Sequence, residues 1–445
     1  MDPHHVAHRT NRPAAGTLKL NICLLTLALL AQTGIAESHD LQSGGPSPMT
    51  AEDAVKLAIS HNPQIAAGLA GLAASRSTYL ALGVPVPLTI GASQVQGTSN
   101  APSLTGDTID TIVNLGGSLD TSGQRRYQAA GARAAYKVAF YELGETLLSL
   151  EQQVRDAYWS LAASEAQAKI ADQSLLETQK VYDLTVAQEK AGTSPKADVV
   201  RSSIDVANAR QARLTAQNAH QAAQFAFNTL LARRPEDSVT LADVLGETLV
   251  APSTSSIPRV EELAARARQD RPLLRAATEQ VHAANYSVRQ AEASRLPDLN
   301  VLYERSVRQQ VDAWTFSISL PLFEFGSISH TINSAKHART QAAAQERQNE
   351  AMVMQQVSQA RADLATAAKA VQSYRAEILE PSVKLLDMAK VGYEQGATGI
   401  LPVLDAESTV RNARTGYINA LLSFRKAEDE LNAAIGKTTT PMPKK

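Results

Sequence analysis

Ala191-Gly192-Thr193-Ser194-Pro195, followed by Asp198-Val199-Val200 and Asn208-Ala209-Arg210, has a second version 204 residues further on. There the chain reads Gln395-Gly396-Ala397-Thr398-Gly399, then Val403-Leu404-Asp405-Ala406 and Asn412-Ala413-Arg414. A glycine between two helical stretches is the usual left-handed end cap of a helix, so each stretch reads as a tight turn between helices. After the first turn, Ser194 is a candidate cap for the next helix and Pro195 suits its first position.

The repeat extends outward. Asn228 falls on Asn432 at the same offset, Asn62-Pro63 pairs with Arg271-Pro272, and Gly123 pairs with Gly326. The unit reads helix, strand, strand, long helix, turn, helix, and it is used twice. The first copy spans 37–233, with helices 51–82, 123–190 and 196–232 and strands near 87–97 and 108–120. The second spans 258–436, with helices 259–294, 327–395 and 400–436 and strands near 298–307 and 313–322. Residues 234–257 read as an irregular inter-repeat loop, and 437–445 as a tail. Thr50, with Asp53 three residues later, caps the first helix.

The long helices carry a heptad seam. Val353, Val357, Ala360, Leu364, Ala367, Val371, Tyr374 and Ile378 step by threes and fours, as do Phe140, Leu143, Leu147, Leu150, Val154, Ala157 and Leu161. Nearly seventy helical residues make a rod of roughly 100 Å. Such a rod is a coiled coil or bridges a large gap. Pro381 interrupts the second rod and predicts a bend.

The strands alternate. Trp314, Phe316, Ile318 and Leu320 interleave with Thr315, Ser317 and Ser319; Leu299, Val301 and Tyr303 with Asn300, Leu302 and Glu304; Ile109, Val113, Leu115 and Leu119 with Asp110, Asn114 and Ser118. One face is apolar and the other polar. Four such strands cannot close a membrane barrel, which needs about eight or more, and lipid does not tolerate open edges. The chain must therefore assemble. Two copies give eight strands and three give twelve; strand physics does not choose.

The first 36 residues read as a secretory signal. Arg9, Arg12 and Lys19 precede an apolar run over 20–31, and Gly34-Ile35-Ala36 forms the cleavage site. The run is shorter than the ~20 residues of a spanning helix. Cys23, the only cysteine among 445 residues, lies inside it, so the mature chain is predicted to have neither a disulfide nor a thiolate ligand. No later segment reads as a transmembrane helix.

Composition narrows the function classes. With 43 basic and 44 acidic side chains there is no basic field for nucleic acid. His39, His61, His220, His282, His330 and His337 form no close-spaced ligand pair, and no phosphate-binding loop, dinucleotide fingerprint or nucleophile elbow is present. The reading is of no enzyme, no cofactor and no metal site, with the energy for transport supplied by a partner.

In order and motifs the chain resembles the TolC-like outer-membrane factors of efflux and secretion systems. The resemblance rests on Tyr393-x-x-Gly396 before Val403-Leu404-Asp405-Ala406 and on Gly192 before Asp198-Val199-Val200. The helix openings at 50–58 and 260–267, and Pro321-Leu322-Phe323 ahead of Gly326, carry it further. It covers nearly the whole mature chain. The implied fold is mostly α with a small β part: a coiled-coil α-helical barrel, plus four strands per chain of a trimeric transmembrane β-barrel.

The implied partners are two further copies, a periplasmic adaptor, an inner-membrane pump and outer-membrane lipid. The rods would lie in the periplasm. Gly192, Thr193, Ser194, Gly396, Ala397 and Thr398 would meet the adaptor. Asp405 matches an acidic position that rings the closed entrance in some relatives, but the companion position three residues earlier is Pro402. The turn Leu119-Asp120-Thr121-Ser122-Gly123-Gln124-Arg125-Arg126 resembles the heavy-metal efflux branch, which would make metal cations the cargo. The competing reading is an envelope coiled-coil scaffold without a pore, which explains the rods but not the two-faced strands.

Overall fold

The computed structural model describes residues 48–84, 88–98, 107–246, 257–308, 310–320 and 325–438. The expected signal over residues 1–36 with Cys23, His39, the tip of the first strand loop at 99–106, Pro321-Leu322-Phe323 and the tail from 439 lie outside them.

The first copy contains α1 (Ala51–His61), α2 (Pro63–Gly83), β1 (Thr89–Thr98), β2 (Asp107–Leu119), α3 (Gln124–Lys190) and α4 (Lys196–Leu230). The second contains α5 (Val260–Asp270), α6 (Pro272–Ala293), β3 (Asp298–Ser306) and β4 (Val311–Ser319). It continues with α7 (Ser327–Ser373), a π-helical turn (Tyr374–Leu379), α8 (Glu380–Glu394) and α9 (Leu401–Ala434).

Both opening helices differ from the reading of one continuous stretch. At Asn62 and Arg271 the backbone is extended, with ψ of 125° and 117°, and a proline starts the next helix. A proline restricts the residue before it to extended conformations, and its ring and missing N–H fit only a first turn. Asn62 Oδ1 accepts from the Gln64 N–H at 2.8 Å, so the break is also a cap. By length and composition alone helix α2 is apolar enough to cross a membrane. Alanine and leucine make up most of its apolar content. It lies along α3 with Leu143 against Gly68, so it belongs to the helical body.

Helix α3 runs unbroken for 67 residues, roughly 100 Å. The main core sits beside the middle of the rods. Leu147, Leu150, Val154, Tyr158 and Leu161 of α3 meet Val353, Val357 and Val371 of α7 and Leu421, Phe424 and Leu431 of α9 there, with α1 and α5 packed across them. Toward the turns the apolar contacts shrink to small clusters. One is Val181, Tyr393, Ile400 and Val403; the other is Leu386, Ala406 and Val410.

The inter-repeat loop is pinned to this core. Met49 and Leu241 form a parallel bridge, and the fully buried Tyr158 reaches both sides of it. Its hydroxyl donates to Asp243 Oδ2 at 2.8 Å and toward the Met49 carbonyl at 3.1 Å, and accepts from the Asp243 N–H. Burial pushes the phenol pKa up, so it stays a donor. Tyr158→Phe leaves three polar groups without this partner. The expected cost is about 1–3 kcal/mol, read as a lower thermal midpoint with the helix content unchanged.

The strands form one antiparallel sheet in the order β1-β2-β3-β4. β1 and β4 each pair on one side only, so the sheet is open at both edges.

Candidate functional site: the two-faced sheet and the helical tip

The register aligns the apolar residues in rows across the sheet. One row runs Ile90, Leu115, Tyr303, Trp314; a second Gly117, Val301, Phe316; a third Leu119, Leu299, Ile318. Directly paired residues share a face, because side chains alternate along every strand. Trp314, Phe316 and Ile318 remain 64–72% exposed in the single chain, although they are large and apolar. A patch of this kind needs a covering phase.

The other face carries Asn114 opposite Glu304, and Ser118, Asn300 and Ser317 in one row. Apolar residues on this face include Leu302, which packs over Gly116, together with Ile112 and Val95. At the β3–β4 hairpin the rings of Tyr303 and Trp314 lie 5.0 Å apart. The Tyr303 hydroxyl donates to Asp312 at 2.9 Å, and Arg305 pairs with the same carboxylate at 3.7 Å. Aromatic rings followed by charges are how an apolar band meets water.

The two glycine turns sit at one end of the molecule, since the hydroxyls of Thr185 on α3 and Tyr393 on α8 are 3.2 Å apart. Both turns close identically. Gly192 (φ 75°) donates to Glu189 O and Thr193 to Gln188 O; Gly396 (φ 70°) donates to Tyr393 O and Ala397 to Gly392 O. That pair of bonds satisfies carbonyls that a helix end leaves open. Gly192, Thr193, Gly396, Ala397 and Thr398 are exposed and Ser194 half-buried. Ser194 does not cap α4: Pro195 takes the cap position, and Ser194 Oγ donates to Asp198 Oδ2 at 3.3 Å.

Asp405 is exposed on α9, and Pro402 lies in the first turn of that helix. Two residues along an α-helix turn it by about 200°, which places Glu407 on the opposite face. Glu407 is buried between α8 and α9, 3.7 Å from Lys390, and burial pushes its pKa up. Beside it Arg411 reaches Ser174, and Arg414 stands 3.8 Å from Glu177. The sequence held a signal for Glu407, since it stands four residues after Val403 on the seam.

A second polar cluster lies beside the core. Trp159 Nε1 donates to Asp429 at 3.0 Å, Arg155 stands between Glu151 and Asp429, and Arg425 lies over the Trp159 ring. These groups line a cavity of about 260 Å³. Burial, only partly offset by Arg155, raises Asp429 from 3.8 to about 6. The folded chain therefore holds this proton more tightly than the unfolded chain. The contribution of the protonated carboxyl is complete below about pH 4 and is lost as pH rises through about 6. Asp429→Asn should flatten the change in thermal midpoint between pH 4 and 7 relative to the parent chain. It should also match or exceed the parent at pH 7 while keeping the Trp159 bond.

Among the described residues no group of three or more His, Cys, Asp or Glu is placed to hold a metal ion.

Comparison with known proteins places this geometry. The model of the family described as outer membrane efflux protein matches residues 54–233 and 263–437. The chain is 24% identical over 340 residues to the toluene efflux pump outer membrane protein TtgF of Pseudomonas putida, covering 74% of this chain and 69% of that one. It is 25% identical over 412 residues to the pyoverdine export outer membrane protein OpmQ of the same species, covering 90% and 83%. Among solved structures, the outer-membrane channel OprN superposes with a TM-score of 0.76 at 22% identity, covering 87% of this chain and 90% of that one. VceC from Vibrio cholerae superposes with 0.73 at 19%, covering 87% and 96%. The two halves of the family match coincide with the two copies of the repeat. The chain belongs to the outer membrane efflux protein family and is an outer-membrane channel component of an efflux system.

Proposed function

We propose that three copies of this chain close a twelve-stranded barrel in the outer membrane and continue it inward as a helical tunnel. The observation that carries this reading is the four-stranded sheet with one exposed apolar face and two unpaired edges, β1 and β4. Lipid accepts such a sheet only when every edge is paired, and pairing β4 of one copy with β1 of the next achieves this. The conduit is passive. A periplasmic adaptor binds the turns at Gly192, Thr193, Ser194, Gly396, Ala397 and Thr398, and an inner-membrane pump supplies the energy. Three copies of Asp405 ring the tunnel entrance as a cation-selective gate.

The proposed cargo is a small organic solute. Relatives in Pseudomonas putida are named for toluene, solvent, antibiotic and pyoverdine export. The metal-cation reading rests on the turn at residues 119–126, and the residues of that turn have a local task. Asp120 accepts from Ser122 Oγ and from the Arg125 N–H, Thr121 donates to Pro297 O, and Arg125 reaches Val84 O. They fasten the start of α3 between sheet and helices.

Export of a toxic organic solute from cells lacking the chromosomal copy tests the reading. The parent chain restores export. Thr193→Arg with Thr398→Arg reaches the outer membrane as the same trimer but fails to restore it. Equal export by that variant contradicts the adaptor contact. Asp405→Ala in a planar bilayer loses cation selectivity; unchanged selectivity removes the gate.

A further inference from the structure

We propose that Glu304, flanked by Leu302 and Ile112 on the polar face of the sheet, makes the barrel bore selective for organic cations that carry an apolar group. This inference rests on the three-copy channel and names the solute class that its barrel favours.

The register fixes which way these side chains point. Glu304 pairs with Asn114 on one side and Ala313 on the other, and so lies on the face opposite to Tyr303 and Trp314. The next row toward the helices holds Gly116, Leu302 and Thr315, and the next row outward holds Ile112, Ser306 and Val311. Over these three rows Glu304 is the one ionisable side chain on this face among the described residues. Its neighbour Arg305 belongs to the other face and pairs there with Asp312 at 3.7 Å. Asp110 stands two rows outward, roughly 13 Å along the strand. It is already taken up by Ser306 Oγ and the Arg308 N–H.

The wall beside Glu304 is low. Ala313 offers one methyl group. Asn114 leans over Gly91 and Leu302 over Gly116, where an added methyl group would stand 2.8 Å from Leu302. The two glycines let these neighbours lie along the wall rather than across the bore.

Distances decide what such a carboxylate can do. Twelve tilted strands enclose a bore of roughly 15 Å once side chains are counted. Three copies of Glu304 then stand at one level, each roughly 7 Å from the axis. That is within the ~8 Å screening length of physiological salt and beyond the ~3 Å of 1 M salt. The field therefore reaches the whole bore, drawing cations in and holding anions out. Leu302 one row inward, and Ile112 and Val311 one row outward, add apolar surface within roughly 7 Å of the charge. A few polar groups set in an apolar lining is how proteins select organic solutes. A hydrated metal ion uses only the charge, whereas a solute with a cationic and an apolar part uses both.

Reversal potentials of the assembled protein in a planar bilayer test this. The rods are too long to cross the bilayer, so they stay on the side of addition and the far chamber meets the barrel mouth. Dilute salt in that chamber unmasks Glu304, while about 1 M salt around the rods screens Asp405. Benzyltrimethylammonium should permeate at least about threefold better than benzenesulfonate, and Glu304→Gln should bring the ratio to about one. Leu302→Ser should keep that ratio but erase the preference for benzyltrimethylammonium over tetramethylammonium. Glu304→Cys checks the placement inside a channel already assembled, since Cys23 is the only natural cysteine and lies in the expected signal. An anionic methanethiosulfonate should restore the cation preference of that variant, and a cationic one should reverse it. A conducting channel whose preference survives Glu304→Gln, or a Glu304→Cys channel that neither reagent changes, overturns the proposal. A parent particle that carries no current defeats the three-copy channel itself, and the filter with it.

Discussion

Phe316→Arg is expected to cut the amount of assembled protein in the outer membrane by more than tenfold, while Ser317→Arg one residue away assembles normally and changes conductance. The two positions are neighbours on β4, but successive side chains of a strand point to opposite faces. Phe316 stands in a row with Val301 and Gly117 on the apolar face, and Ser317 with Asn300 and Ser118 on the polar one. An arginine on the lipid side of a barrel costs about 2–4 kcal/mol at mid-membrane, and assembly multiplies that by the number of copies. On the polar side the same charge stays in water and adds a fixed positive field to the pore. Quantitative blotting of outer-membrane fractions and bilayer conductance read the two arms. Equal losses at both positions would show that the face assignment is wrong.

Gly436→Ala is the second large effect, at about 3 kcal/mol, read as a thermal midpoint several degrees lower. Gly436 ends α9 with φ 77°, donating to Ala433 O while Lys437 donates to Asn432 O. A left-handed alanine costs about 1–2 kcal/mol by itself. Here the added methyl also meets backbone, with Arg271 N and Asp270 C both at 2.8 Å, and backbone cannot turn aside as a side chain can. Arg271 belongs to the same junction, donating to Ala433 O and, at 2.6 Å, to Glu145. The repeat partner of Gly436 is Ala232, which closes α4 with the same bond pair at φ 55°. The first copy thus carries the strain that the second avoids. Ala232→Gly is expected to raise stability by up to about 1 kcal/mol.

These sites show what the residues disclose by themselves. Strand faces and glycine turns obey local rules, so Phe316 and Gly192 could be placed from spacing alone. Pro63 and Pro272 are visible as a repeated pair, but the helices expected over 51–82 and 259–294 run across them. The chain instead uses each proline to start a new helix after an extended residue. Pro381 announced a disturbance without saying that it would be a π-helical turn, because hydrogen-bond register depends on what packs opposite, here Gly416. The Trp159–Asp429 bond joins residues 270 positions apart and leaves no local trace. Glu407 did leave one, as an acid on an apolar seam. The proposed adaptor contact and the proposed gate at Asp405 depend on other chains, and one chain supplies only the exposure of those residues.

Assembled with its copies, this chain is expected to form an open path across a membrane. Single-channel recording of the purified protein in a planar bilayer tests it most directly, with a native mass on the same sample. Three chains per particle and a stable conductance, altered by Ser317→Arg, are the predicted result. A folded three-chain particle that inserts and carries no current would rule out the channel and leave a scaffold without a pore.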